Sequence, residues 1–111
     1  MEENKLVFYN MGTVECNEIM FRYAIKQEFG IESEDLEMAI GRFKFLFDSE
    51  SSTYIRVEFM SNGSELKTTI LGERAEDVMK VYNAFASRFF DESETGEGGL
   101  IGNLAWNRRN G

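Results

Sequence analysis

At 111 residues, with 42% hydrophobic and 14% aromatic content, the chain is long enough for one domain with one core and too short for two. Twenty acidic and 12 basic residues leave a net charge of −8, so the surface as a whole repels nucleic-acid backbones and anionic membranes. The chain has no histidine and one cysteine. That removes the commonest proton-transfer group near neutral pH, leaves a zinc site almost nothing to build from, and excludes an internal disulfide.

Residues 5–9 read as a short strand. Residues 14–29 follow as a helix, with Gly30 placed to end it. Ile19, Met20, Tyr23 and Ala24 form one apolar stripe, and Phe21, Ile25 and Phe29 widen it on one side. The arc is broader than one sheet contact needs, which leaves two readings open. Either the helix is wedged between the sheet and a second helix, or part of the arc, Phe21 and Ile25, is an oligomer or partner surface. Ser33-Glu34-Asp35-Leu36 caps one helical turn before the next strand begins.

Alternation then becomes strict. Phe43, Phe45 and Phe47 share one face of a strand over residues 42–48, and the polar run 48–52 turns the chain. Residues 53–60 and 65–71 form a hairpin around Ser61-Asn62-Gly63-Ser64, since Asn-Gly is the strongest short signal for a type I′ turn. With Asn62 and Gly63 as the loop, Phe59 faces Leu66, Val57 faces Thr68 and Ile55 faces Ile70. The opposite face then pairs Glu58 with Lys67 and Arg56 with Thr69.

Residues 74–90 make an amphipathic helix whose stripe is Ala75, Val78, Met79, Tyr82, Phe85, Ala86 and Phe89. Glu76 and Asp77 near its start and Arg88 in its last turn complement the helix dipole. A short turn at Gly72 lets this helix fold back on the phenylalanine face. Beyond it, residues 91–111 shift to an acidic, glycine-rich composition and read as a flexible tail. The tail closes on Leu100, Ile101, Leu104 and Trp106, followed by Arg108 and Arg109. The expected fold is therefore α+β in the order β-α-β-β-β-α: a mostly antiparallel sheet with two helices packed largely on one face, in a single domain over residues 1–90.

Few residues carry chemistry. Asp91-x-Ser93-x-Thr95-Gly96 resembles the first half of an EF-hand calcium loop, but Gly98 and Gly102 stand where that loop needs an aliphatic residue and a bidentate glutamate, so no metal site is expected. Cys16 lies near a helix start with no base to activate it, and reads as a small residue packing on the core. No catalytic residue and no cofactor are assigned.

The outward face of the sheet is more informative. The register places Arg42, Lys44, Arg56 and Lys67 there against Asp48 and Glu58, with Tyr54 among them, which is near +2 by count on an acidic chain. The expected function is a non-enzymatic protein-interaction module, an adaptor or an inhibitor that occludes a partner surface. The residues expected to contact a partner are Arg42, Lys44, Tyr54, Arg56, Lys67, Phe21, Ile25 and Trp106, the last as an anchor on the tail unless the tail folds back on the core. The expected partner is another protein, either basic or a second copy of this chain. The alternative is nucleic-acid or anionic-ligand binding on the basic sheet face. With no run of 18 apolar residues and no secretory pattern at the N-terminus, no membrane contact and a cytoplasmic location are expected.

Overall fold

Period-two alternation through the middle of the chain builds a sheet that is apolar on one face only, and two amphipathic helices close that face. The computed structural model describes residues 3–48, 50, 52–89 and 105–107. In chain order these form β1 (Asn4–Met11), α1 (Val14–Phe29), a 3-10 turn (Ser33–Asp35), β2 (Glu37–Ala39), β3 (Arg42–Asp48), β4 (Thr53–Asn62), β5 (Glu65–Gly72), α2 (Ala75–Phe89) and β6 (Ala105–Asn107). The sheet order is β2-β3-β4-β5-β1-β6, and every neighbouring pair is antiparallel. The expected α+β architecture is present, with the added strands β2 and β6 at its two edges.

Local chemistry sets the helix ends. The Thr13 hydroxyl accepts from the Cys16 N–H at 3.1 Å and starts α1. Gly30 ends it in the left-handed region at φ 72°, donating its N–H to the Lys26 carbonyl at 2.9 Å. Both helices lie on the phenylalanine face. Phe21 of α1 stacks on Phe85 of α2 with centroids 4.1 Å apart, and meets Phe59 at 5.5 Å and Phe43 at 6.3 Å. Phe8 reaches Phe85 and Tyr82 from β1 at 5.8 and 5.3 Å. Arg88 and Glu28 tie the two helices together at 3.0 Å.

Four local expectations change. The hairpin loop is Gly63-Ser64, because Asn62 pairs with Glu65, Phe59 with Thr68, Val57 with Ile70 and Ile55 with Gly72. Gly63 alone takes positive φ, at 69°, which fits a type II′ turn with glycine first; a type I′ turn would need positive φ at both loop positions. The slip is two residues, so the inner and outer faces survive, but Glu58 now stands across from Thr69 and Lys67 from Met60.

A bulge between Leu46 and Asp48 sets Asp48 opposite Thr53 rather than on the outer face. There Asp48 accepts from Arg74 at 3.2 Å, and Arg74 also donates to the buried Asp77 at 3.0 Å, anchoring the start of α2 to the sheet. The Asp77 hydrogen bond holds the Arg74 guanidinium pKa above its ordinary value.

The buried stripe of α1 is Asn17, Phe21, Ala24 and Ile25, spaced four, seven and eight residues from the first. Ile19 and Tyr23 fall on the other side of the helix and are exposed. Cys16 is an exposed free thiol rather than a core residue. Residues 90–104 and 108–111, and with them most of the acidic tail and the Asp91–Gly96 half-match, lie outside the described residues.

Candidate partner-binding surfaces

Two surfaces stand out, and alternation builds the first. Odd-numbered residues of β1, β5 and β2 and even-numbered residues of β3 and β4 project away from the helices. The expected Arg42, Lys44, Tyr54, Arg56 and Lys67 all fall on this outer face. Arg42, Lys44 and Arg56 line one shallow pocket of about 230 Å³ together with Glu37. Glu37, Lys44 and Arg56 form a cross-strand row, so Lys44 has a carboxylate on one side and a like charge directly opposite on the other.

The Lys44 ammonium lies 4.8 Å from the Tyr54 ring centroid. Arg56 pairs with Glu3 at 3.2 Å and with Glu58 at 3.7 Å. Arg42 and Lys67 make no ion pair among the described residues. By register the face holds Lys5, Arg42, Lys44, Arg56 and Lys67 against Glu3, Glu37, Glu58 and Glu65. It is therefore close to neutral rather than distinctly basic. Asp48 leaves the face, while Glu3, Glu37, Glu65 and Lys5 join it.

The second surface lies at the end of the sheet where β1 and β4 finish and the β2–β3 hairpin turns. Ala39 and Arg42 pair across the two-residue loop Ile40-Gly41, and Gly41 takes φ 77° while its carbonyl accepts from the Phe59 N–H at 2.7 Å. The loop is thereby held against β4 with Ile40 at its tip. Ile40 is 101% exposed, Met60 63% and Met38 45%, and Met11 at the end of β1 is 70% exposed. Met38, Ile40 and Met60 share a groove of about 830 Å³ with Val14, Glu15 and Glu18 from the start of α1.

Not every expected contact residue reaches a surface. Phe21 and Ile25 are 0% and 1% exposed, the centre of the core rather than a partner surface, because the α1 stripe they lie on is the one that faces the sheet. Trp106 falls in β6, across from Leu6 of β1, so this part of the tail folds back onto the domain rather than standing free as an anchor. The groove residues Met38, Ile40 and Met60 were not among those expected from sequence. The signal for Met38 and Ile40 was an apolar run, Met38-Ala39-Ile40, at a turn where polar residues or glycine are the norm.

Besides that of Arg74, the acidity of Tyr82 is altered: burial pushes its hydroxyl above the ordinary tyrosine value, and it lies in the core beside Phe8. Among the described residues no three His, Cys, Asp or Glu side chains come close enough to hold a metal ion, and no helix is long and apolar enough to cross a membrane. No protein-family model, curated protein or solved structure matches this chain.

Proposed function

We propose that this chain is a non-enzymatic protein-interaction module, an adaptor or inhibitor that covers part of a partner with the apolar end of its sheet. The observation that carries this reading is Ile40: a large aliphatic side chain fully exposed at the tip of a tight hairpin, with Met38 and Met60 exposed beside it. Isolated exposed apolar residues need no explanation, whereas several around one groove fit a surface that is covered when the protein works.

Capture of partners from the source cell tests the reading. The chain is compared with Ile40→Ser, which alters an exposed position and leaves the fold stable. A partner held by the chain and lost by Ile40→Ser is expected. A partner held equally by both would remove this end of the sheet from the interface.

A second reading is favoured by one feature of the outer face. Arg42, Lys44 and Arg56 converge on a single pocket next to Tyr54, an arrangement that suits an anionic ligand or a single-stranded nucleic acid. The interleaved Glu3, Glu37 and Glu58 count against it. Titration with a labelled single-stranded oligonucleotide at low salt separates the two readings: salt-sensitive binding lost in Arg42→Glu/Arg56→Glu would favour the second.

A further inference from the structure

The groove at the end of the sheet has two unlike walls. Met38 and Ile40 make one of them apolar, and Met60 extends it at the rim toward the outer face of the sheet. The other is the start of α1, where Glu15 and Glu18, three residues apart on one side of the helix, line the opening. Neither glutamate makes an ion pair among the described residues.

We propose that this groove receives a cationic amphipathic helix of a partner protein. Its apolar residues would seat on Met38, Ile40 and Met60, and its lysines or arginines would face Glu15 and Glu18. The inference rests on the reading of this end of the sheet as the binding surface, and it specifies the chemistry of the partner. Flexible, polarisable methionine side chains conform to varied apolar partners. The groove lies across the end of the sheet, between the tip of the β2–β3 hairpin and the start of α1, and takes in Met38 and Ala39 of the edge strand β2. An occupant that meets the apolar residues and the two glutamates at once needs an apolar side and a cationic side, as an amphipathic helix has in the helix-in-groove mode, whereas a strand added to the β2 edge would engage only one wall.

Charge selects between occupants. A second copy docking isologously would bring Glu15 and Glu18 toward their own counterparts, on a chain of net charge −8. Nucleic acid meets the same repulsion. A cationic segment gains from both.

The test uses the full chain and a fluorescein-labelled helical peptide of leucine and lysine, with a leucine–glutamate peptide of the same pattern as control. Fluorescence anisotropy is read for the chain, for Glu15→Lys/Glu18→Lys, for Ile40→Ser, and for Glu34→Lys/Asp35→Lys. The last makes the same charge change at exposed positions of the 3-10 turn. Thermal melts by circular dichroism establish that each variant is folded.

Binding of the lysine peptide is expected to weaken at least about tenfold in Glu15→Lys/Glu18→Lys and in Ile40→Ser, and less than about threefold in Glu34→Lys/Asp35→Lys. Equal weakening by the two charge reversals would mean that binding follows net charge, and would overturn the proposal. So would equal binding of the two peptides, or binding of neither. If neither peptide binds while Ile40→Ser still loses the cellular partner, the partner class is wrong and the broader reading stands.

Discussion

The two faces of this sheet are made by the same strands and differ by one residue of register, yet they obey different rules. On the inner face Phe43, Phe45, Ile55, Val57 and Ile70 are almost wholly buried, and the aromatic rings of both helices close over them. On the outer face Arg56 is held by two exposed ion pairs and Lys44 by one cation–π contact with Tyr54, Arg42 has no ion pair among the described residues, and no helix covers them. The contrast separates what folds the chain from what is left for other uses. Burial and ring packing account for these inner apolar residues. Outer charges in high dielectric contribute little to folding, so their arrangement is free to serve solubility or recognition.

Breaking the inner face should have the largest effect. Phe21 touches rings from β3, β4 and α2, so Phe21→Ala opens a cavity that its neighbours cannot all collapse into. Chemical denaturation should show a loss of about 3–5 kcal/mol, whereas Tyr54→Ala on the outer face should fall within about 0.5 kcal/mol. Comparable losses from the two would erase the distinction. Gly72→Ala comes next. A Cβ at Gly72 would lie 2.6 Å from Ile55 Cδ1 and 3.0 Å from Val78 Cγ2, so the ends of these two core side chains must shift to admit it. Overpacking of this kind costs about 1–3 kcal/mol, read as a lower denaturant midpoint at unchanged slope.

Much of this contrast is legible in the sequence, and what is not has a physical cause. The phenylalanine alternation of residues 43–47 and the period of α2 declare which side is buried, because burial repeats with the backbone. The hairpin register does not declare itself in the same way. Moving the loop from Asn62-Gly63 to Gly63-Ser64 shifts the pairing by two residues and leaves every side chain on its face, so hydrophobic pattern cannot choose between the two turns. The bulge at Phe47 is equally silent, and it removed Asp48 from the outer face.

The broad apolar arc of α1 hid which part faces inward, and the buried Asn17 on its core stripe misled further. Asn17 is held there by Asn10, which donates to it at 3.1 Å from β1, a contact between residues on separate elements. Of the candidate surfaces, the outer cations followed from alternation. The groove did not, because it joins a hairpin tip, a strand end and a helix start that only the tertiary structure brings together.

Tyr82 tests the inner face more finely. Its hydroxyl is buried without a hydrogen-bond partner among the described residues, at the expense of an unsatisfied polar group. Tyr82→Phe removes that group and keeps the ring against Phe8, so stability should rise by about 1 kcal/mol at neutral pH. The pH dependence has a definite sign. Burial raises the folded-state value, so the unfolded chain releases this proton first, near the ordinary tyrosine value of about 10. The stability linked to Tyr82 is complete below that point and is lost as pH rises through the raised folded value. Equilibrium unfolding of the chain and of Tyr82→Phe across alkaline pH should therefore diverge only above about 10, with the variant losing less. Divergence beginning near neutrality would assign the effect to another group.

The smallest effect belongs to Lys44, and its smallness is the point. The residue sits between Glu37 on one side and Arg56 on the other, so attraction and repulsion across the strands nearly cancel. What remains is its contact with the Tyr54 ring, at an exposed position. Lys44→Gln should therefore change unfolding free energy by less than about 0.5 kcal/mol, and the difference should shrink further with added salt. A loss above about 1 kcal/mol would show that the cation is held in place by the fold, and its position would then need no partner to explain it. A change within the smaller bound leaves Lys44 opposite a like charge on an open sheet with no folding reason to be there. That is the result under which the outer face, like the groove, is worth testing as a place where something else binds.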